Sequence, residues 1–431
     1  MTPELAGDLS GPFDPGFALA RLSRQALADL GREWLLSGHL QDRVGLPRVL
    51  ARHGDDALTR VSIEEWMGAS PVYSKRMQRA LRFEGAEVGT IFKNLQLDIG
   101  APHQFMEFRF DLNGPREGEF WLERCGPLLD VEPFGERRVR LMCHDVEDPT
   151  FDATAAATHP CAKIRPIHRP PRVPAGRVPH CRWRITIDDE SGAYAQHPNL
   201  ERIAASKIAR LELALPARDA EPGGWPDYGG PFDPEFQLED LSHRALLAAD
   251  QEFAVQAHLL ARSFLLCVAQ HFGEAFAREV GRQQWTGIAG LAAERLHRAL
   301  AVGGDGPEAI AKVLQLHPSF HPRAYVDLRV GLEDGGVRLA FGDCPAFEEG
   351  DAYSWFAGLG EAPHPALDAI ARAVNPRATT TPAAPRAGER LAFRIDVDPK
   401  AEPHPEPADV KLARVSRGAS LVLERRRPLR A

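Results

Sequence analysis

Apolar residues recur at helical spacing in two stretches of the chain, FALARLSRQALADLGREWLL from Phe17 and LSHRALLAADQEFAVQAHLL from Leu241. This period predicts amphipathic helices at the start of each half. The period then changes to two residues. FMEFRFDL and GEFWLERC alternate apolar and polar residues around a polar turn, and YVDLRVGL and VRLAFGDC repeat the pattern. Such alternation predicts a β-hairpin in each half.

A helix and two strands are predicted to follow the first hairpin. Asp148 can cap a helix whose first residue is Pro149, and this helix must end before Pro160. His364 and Pro365 take the corresponding places in the second half. CAKIRPI and CRWRITI have the pattern of strands, and the proline-rich segment between them predicts a stiff, extended loop.

The two halves share sequence as well as pattern. GPFDP occurs at Gly11 and again at Gly230, a shift of 219 positions that also relates Trp66 to Trp285. We predict an α+β fold built by tandem duplication, in which each copy has an N-terminal helical part followed by a β-β-α-β-β antiparallel sheet. The copies are expected at residues 11–215 and 230–424, with a linker rich in Gly, Pro and Asp at 216–229.

Composition narrows the class of protein. The 431 residues carry a net charge of -8, whereas general nucleic-acid binding requires a broadly basic face. No apolar run is long enough to span a bilayer, and the opening MTPELAGDLSGPFDP lacks the core of a signal peptide. Six cysteines without a CxxC pair indicate reduced thiols. We therefore expect a cytoplasmic protein with neither a nucleic-acid nor a membrane partner.

Reactive side chains are concentrated in the first half, between Cys143 and Asp188. In the register of the duplication they are replaced by other residue types: His159 by Asn375, Cys161 by Arg377, and Cys181 by Leu391. Scaffold residues are expected in both copies. The residues that only the first copy carries are therefore the better candidates for function.

One combination of these residues resembles a known family. A Cys-x-Asp pattern, a helix, an arginine-containing loop and a Cys-aromatic-Arg strand follow the hairpin: Cys143 with Asp145, Arg172, and Cys181 with Trp183 and Arg184. Over roughly residues 60–188 the chain resembles the L-2-amino-thiazoline-4-carboxylate hydrolase-like family. The order of helices and sheet is more distantly similar to 4-vinyl-reductase and TRAPP-subunit-like ligand-binding domains. The resemblance implies opening of an amidine or thiazoline-type ring by water, or a small-molecule pocket.

Two mechanisms are open for such chemistry. Cys143 can act as a nucleophile with His159 or His180 as its base, and Asp145 can orient that histidine if a strand continues through this segment. Alternatively, zinc, the one cofactor we consider, is held by three ligands and activates a water molecule at its open position. The ligands are Cys143, Cys161 and Cys181, with His159 as the alternative to Cys161 and His180 as the alternative to Cys181.

The basic residues of the same segment predict an anion clamp. The substrate-binding candidates are His168, Arg169, Arg172 and Arg184. Arginine can hold a carboxylate or phosphate through two parallel hydrogen bonds. The alternative, to which we give equal weight, is that these arginines pair with acidic side chains from elsewhere in the fold.

These observations lead to two functional hypotheses. In the first, the protein hydrolyses a C–N bond of a small, carboxylate-bearing substrate in its first copy. In the second, it is a non-catalytic module for ligand binding or assembly, built as an intrachain pseudo-dimer. A homodimer of the whole chain is compatible with both hypotheses.

Overall fold

The computed structural model describes residues 5–425 and has a mixed α+β fold in two halves, each with helices and one four-stranded antiparallel sheet. The first half contains α1 Arg24–Leu40, α2 Asp42–His53, α3 Asp55–Ala80, α4 Val88–Leu95, β1 Met106–Leu112, β2 Glu117–Cys125, α5 Gly126–Val131, α6 Glu136–Arg140, α7 Glu147–Ala156, β3 Ala162–His168, β4 Cys181–Ile187, α8 Asn199–Ala204 and α9 Lys207–Arg210. The second half contains α10 His243–Phe272, α11 Glu274–Ala299, α12 Pro307–Leu316, β5 Leu328–Glu333, β6 Gly336–Phe341, α13 Pro365–Val374, β7 Ala378–Ala383, β8 Leu391–Val397 and α14 Ala408–Ala413.

The two sheets have the same strand order, β1-β2-β4-β3 and β5-β6-β8-β7. Both hairpins and the strands predicted from the period of two are confirmed. Phe120 lies opposite Trp183 in the first sheet, and Leu339 lies opposite Phe393 in the second. All four side chains are buried, because each sheet turns one face towards the helices of its own half.

The longest helix, α10, lies in the interior. By length and mean hydropathy it could cross a membrane, and 94% of its most apolar window is buried inside the protein. Its first turn is capped by Ser242, whose side chain accepts a hydrogen bond from the Ala245 amide. It packs against α1 and α3 of the first half and against α11 of the second half. It is therefore a core helix between the two halves.

The opening segment of each half lies on the other half. The Lys93 ammonium on α4 donates to the carbonyls of Tyr228 and Gly230, at 2.8 and 2.5 Å. In the second half, Lys312 on α12 makes the corresponding contacts with the carbonyls of Leu9 and Gly11. Since each lysine is largely buried, these segments tie the halves together rather than lying free on the surface.

Two of the buried ion pairs that cross between the halves lie at matched positions. Arg76 on α3 binds Glu252 on α10, and Arg295 on α11 binds Glu33 on α1, both with a shortest distance of 2.7 Å. Each arginine also donates to carbonyl oxygens of the segment that ends its own half, near residues 209–211 and 418–421. The same combination of contacts therefore occurs twice.

One predicted helix start is wrong. The helical run does not begin at Asp148 or Pro149 but already at Glu136, and it continues through a π-helical turn, Leu141–Val146, into α7. Pro149 has no amide hydrogen, and the wider turn just before it is one way in which a helix accommodates a missing backbone hydrogen bond. The corresponding prediction in the second half is confirmed, because His364 caps α13 and Pro365 is its first residue.

Candidate functional site

The corrected helix changes the geometry around Cys143. Residues two apart on a helix lie on roughly opposite sides, because each residue rotates the chain by about 100°. Cys143 is accordingly buried, whereas Asp145 is exposed and borders a shallow hollow near Asp55 and Arg140. The structure therefore does not bring Asp145 into the neighbourhood of Cys143.

Cys143 lies in a buried group of thiols. Cys125, at the end of β2, and Cys181, at the start of β4, are close enough that their charges would disfavour a Cys143 thiolate. Burial is the larger effect and raises the pKa of Cys143 well above its usual range, followed by the negative charge of Glu147. Burial likewise raises the pKa of Cys181 to about 12. At neutral pH these thiols are therefore protonated, so Cys143 is not a preformed thiolate nucleophile.

Glu147 is the titratable group of this region that sequence reasoning missed. Burial raises the pKa of its carboxyl to about 8, with a further contribution from Asp148, while Arg169 opposes the shift. A carboxyl that exchanges its proton near neutral pH is suited to general acid–base chemistry. Glu147 follows Cys143 by four residues, which is the spacing of neighbours on a helical face, so a helical assignment would have found it.

His180 is held beside the thiols in its neutral form. Its Nδ1 atom accepts a hydrogen bond of 3.1 Å from the Cys125 amide, and its Nε2 atom lies 3.3 Å from Nη1 of Arg172. Burial, followed by the Arg172 charge, lowers the pKa of His180. Because Nδ1 is occupied and Nε2 faces Arg172, a role as base requires that Arg172 move.

The predicted anion clamp is engaged with acidic side chains. Arg172 binds both oxygens of Glu132 at 2.7 Å, and Arg169 binds Asp148 at 2.6 Å. Arg184 binds Glu119 on the neighbouring strand, at 2.9 Å. These pairings correspond to the alternative stated for the arginines.

The other candidates lie apart from this group. His168 ends β3, where burial and then Arg177 and Arg182 lower its pKa. His159 and Cys161 lie in the loop between α7 and β3, close to Asp189. Within residues 5–425 this is the one group of three or more His, Cys, Asp or Glu side chains close enough together to share a metal ion. The predicted zinc set of Cys143, Cys161 and Cys181 does not converge.

A larger feature is a cleft of about 900 Å³ where the halves meet. Its walls come from the end of α3, the segment 204–215 and the start of α10. Six of the lining side chains are basic and two are acidic: Lys75, Arg76, Arg79, Arg82, Arg210 and Arg244, against Glu212 and Glu252. The remaining walls are mainly apolar, including Val72, Leu200, Leu211, Leu213 and Leu215.

The six cleft cations differ in their partners: Lys75, Arg210 and Arg244 donate to neutral oxygens, and Arg79 acts on Glu252 only through its charge. Among residues 5–425 the side chains of Arg79 and Arg82 form no hydrogen bond or ion pair, and both are exposed. Arg76, in contrast, is neutralised by Glu252. Lys75, Arg79 and Arg82 are spaced by four and three residues, the period of a helix face, so part of this surface was visible in the sequence. The sequence did not show that Arg210 and Arg244 line the same cleft.

The equivalent place on the other side of the molecule lacks most of these cations. At the shift of 219 positions, Lys75 corresponds to Glu294, Arg82 to Ala301 and Arg244 to Gln25. Arg82 and Ala301 share the same unusual backbone conformation, with φ of 55° and 47°. The backbone is therefore alike in the two places while the charge differs.

No family model, curated protein or solved structure was found to match this chain. The resemblance to the thiazoline-carboxylate hydrolase-like family therefore stays a prediction. It depends on the pattern of cysteine, aspartate and arginine residues between Cys143 and Arg184.

Proposed function

We propose that the protein is an intrachain pseudo-dimer that binds a small organic anion in the cleft between its halves. The observation that carries the proposal is the excess of basic over acidic side chains in the cleft, six against two, on a chain whose net charge is -8. A large concave pocket with a few converging polar groups is the usual form of a small-molecule site.

The free cations define the polar end of the ligand. Within residues 5–425 the guanidinium groups of Arg79 and Arg82 form no hydrogen bond or ion pair, and Arg79 acts on Glu252 only through its charge. Guanidinium groups prefer carboxylate or phosphate oxygens, to which they can donate two hydrogen bonds. The apolar walls would cover the rest of the ligand, since burial of apolar surface adds affinity without requiring a specific partner. An anion with an apolar body, such as a medium-chain carboxylate, fits both features.

The duplication supports a role for this surface beyond folding. The ion pairs Arg76–Glu252 and Arg295–Glu33, and the contacts of Lys93 and Lys312, lie at positions matched by the shift of 219, which is what a duplication predicts. If the basic residues were needed only for folding, they would be expected at the matched positions of both halves. The replacement of Lys75 and Arg82 by Glu294 and Ala301 at matched positions favours a ligand on one side alone.

Octanoate binding, measured by isothermal titration calorimetry, tests the proposal. Replacing Arg79 by Gln is expected to weaken octanoate binding about tenfold, since a hydrogen bond to a charged group contributes roughly 1.5 kcal/mol or more. The matched control is Arg298→Gln, which changes the equivalent helix position outside the cleft and should leave the affinity unchanged.

Two comparisons make the octanoate test selective. Octanol has the same apolar body without the charge and should bind more weakly than octanoate, and added salt should weaken octanoate binding by screening. Equal binding of octanoate by wild type, Arg79→Gln and Arg298→Gln, or no binding by wild type, would contradict the proposal.

Hydrolysis of a C–N bond is a second candidate, favoured by the raised pKa of Glu147 beside Cys143 and Arg169. In this version ionised Glu147 accepts the proton of Cys143 as the sulfur attacks the substrate carbon, and it then donates that proton to the nitrogen as the C–N bond breaks. Water afterwards cleaves the carbon–sulfur bond, which returns a proton to Cys143. The test is turnover of the thiazoline carboxylate named by the resembled family. Glu147→Gln should lower the rate at least about 100-fold, as expected for loss of an acid–base group, whereas Asp145→Asn on the exposed side should retain it. No turnover by the wild type would remove this candidate.

A further inference from the structure

A group of three possible metal ligands lies away from both the cleft and the buried thiols. His159, Cys161 and Asp189 each offer one ligand atom, and these atoms all lie within 4.8 Å of one another. We propose that they form a binding site for a divalent cation of the zinc class, with a fourth position open to water. This site is independent of the proposed anion binding.

The sheet brings the three residues together. Ala162 at the start of β3 pairs with Ile187 at the end of β4, so the segments just outside these two residues become neighbours. The Asp188 amide reaches the Cys161 carbonyl at 3.5 Å, and the Tyr194 amide donates to the Pro160 carbonyl at 2.8 Å. The loop of His159 and the turn of Asp189 are thus positioned by backbone contacts, which do not depend on the three side chains.

The donor atoms suit a borderline-soft cation. An imidazole nitrogen, a thiolate and a carboxylate oxygen are the three ligand types that zinc accepts, and three protein ligands plus water is a common form of a reactive zinc site. His159 and Cys161 are partly buried and Asp189 is exposed, so water can reach a bound ion. Asp189 also binds Arg116 through its other oxygen at 2.8 Å, which orients the carboxylate.

A simple histidine–aspartate pair is the competing explanation. Nε2 of His159 lies 3.6 Å from Oδ1 of Asp189, and Nδ1 accepts a hydrogen bond of 3.2 Å from the Cys161 amide. The Cys161 sulfur takes no part in that pair. Metal binding through Nε2 requires the proton to move to Nδ1, with loss of the Cys161 amide contact, and requires the Cys161 thiol to release its proton to solvent.

The second half makes the corresponding turn with a different side-chain acceptor. Asn375 takes the place of His159, and its oxygen accepts a hydrogen bond of 2.9 Å from the Arg377 amide, as Nδ1 of His159 does from the Cys161 amide. All three metal-binding positions have changed there, with Arg377 in place of Cys161 and Pro399 in place of Asp189. The same backbone turn is therefore made without a thiol, an imidazole or the carboxylate.

Cobalt and zinc titrations of the full-length protein test the site. After removal of metal by a chelator, the wild type should bind one Co²⁺ per chain with the near-ultraviolet absorption of a thiolate–cobalt bond, and Zn²⁺ should displace it. Cys161→Ser should abolish that absorption. Asp189→Asn should weaken Zn²⁺ binding by at least about tenfold. Loss of a residue that only supports a metal ligand already lowers metal affinity by about 10- to 100-fold.

Two controls separate this site from misfolding and from the buried thiols. The metal-free Cys161→Ser and Asp189→Asn variants should melt at the wild-type temperature, and Zn²⁺ should raise the melting temperature of the wild type more than that of either variant. Cys143→Ala should keep the cobalt absorption. Absence of the absorption in the wild type, its persistence in Cys161→Ser, or its loss in Cys143→Ala with Cys161 intact would overturn the proposal.

Discussion

Replacing Arg295 by Ala is expected to lower the free energy of unfolding by about 3 to 5 kcal/mol, the usual cost of removing one partner of a buried ion pair. The side chains of Arg295 and Glu33 are only 1% and 5% exposed. Arg295 binds both oxygens of Glu33 and donates to the carbonyls of Gly418, Ala419 and Leu421. Its loss therefore leaves a buried carboxylate and three carbonyl groups without their donor. Chemical denaturation followed by circular dichroism measures the change.

The chain supplies its own controls for the Arg295 experiment. Arg298 lies on the same helix and is exposed, so Arg298→Ala should change the stability by less than about 0.5 kcal/mol. Arg76→Ala should cost as much as Arg295→Ala, because Arg76 makes the matching contacts with Glu252 across the halves. Since both pairs join the halves, each variant should still unfold in one transition. A loss below about 1 kcal/mol for Arg295→Ala would contradict the structure of this interface.

Stability should fall as pH rises from 6.5 to 8, because buried carboxyls keep their protons in the folded protein. Burial raises the pKa of Asp42 to about 7, burial and then the Asp42 charge raise the pKa of Glu65, and burial raises the pKa of Asp250. Both oxygens of Glu65 and of Asp250 are without a hydrogen-bond partner within residues 5–425. In the unfolded chain these groups are ionised throughout this window.

The sign follows from the number of protons that each state binds. A carboxyl with a raised folded pKa contributes stability that is fully present below its unfolded pKa and lost as pH rises through the folded value. Each proton retained only by the folded state lowers the free energy of unfolding by about 1.4 kcal/mol per pH unit. Buried histidines act in the opposite sense: burial lowers the pKa of His39 to about 3 and that of His258 to about 4, but these groups matter below pH 6.5.

Neutral replacements identify the source of the pH dependence. The double variant Asp42→Asn with Glu65→Gln should reduce the decline between pH 6.5 and 8, as measured by denaturation at several pH values. Asp56→Asn, which changes an exposed carboxyl, should leave the decline unchanged. A stability that rises with pH across this window in the wild type would contradict the burial of these carboxyls in protonated form.

Local pattern was a reliable guide where a strand or a cap depends on nearby residues. The hairpins followed from alternation, and the start of α13 followed from His364 and Pro365. The same reasoning failed at Pro149, because a π turn extended the helix backwards to Glu136. Because of this error, Glu147 was not considered, and Asp145 was predicted to share a face with Cys143. Residues two apart share a face on a strand but lie on opposite sides of a helix.

The arginines show why site prediction was harder than fold prediction. Arg169 and Arg172 are separated in sequence from their partners Asp148 and Glu132 by 21 and 40 residues, and nothing in the local pattern connects them. Arg79 and Arg244 line the same cleft only because α3 packs against α10 across the two halves. The sequence therefore shows which segments are basic, but it does not show which of their arginines form ion pairs and which do not.

The order of the residues was enough to predict the periods of the helices and strands, the matched positions of the two halves, and the places where the halves differ in chemistry. These are local or repeated properties, because side-chain period and capping act within a few residues. Packing was needed to show which thiols are buried, which arginines are paired, and that a basic cleft lies between the halves. Those outcomes depend on packing between distant segments, where burial and the proximity of charges set the state of each group.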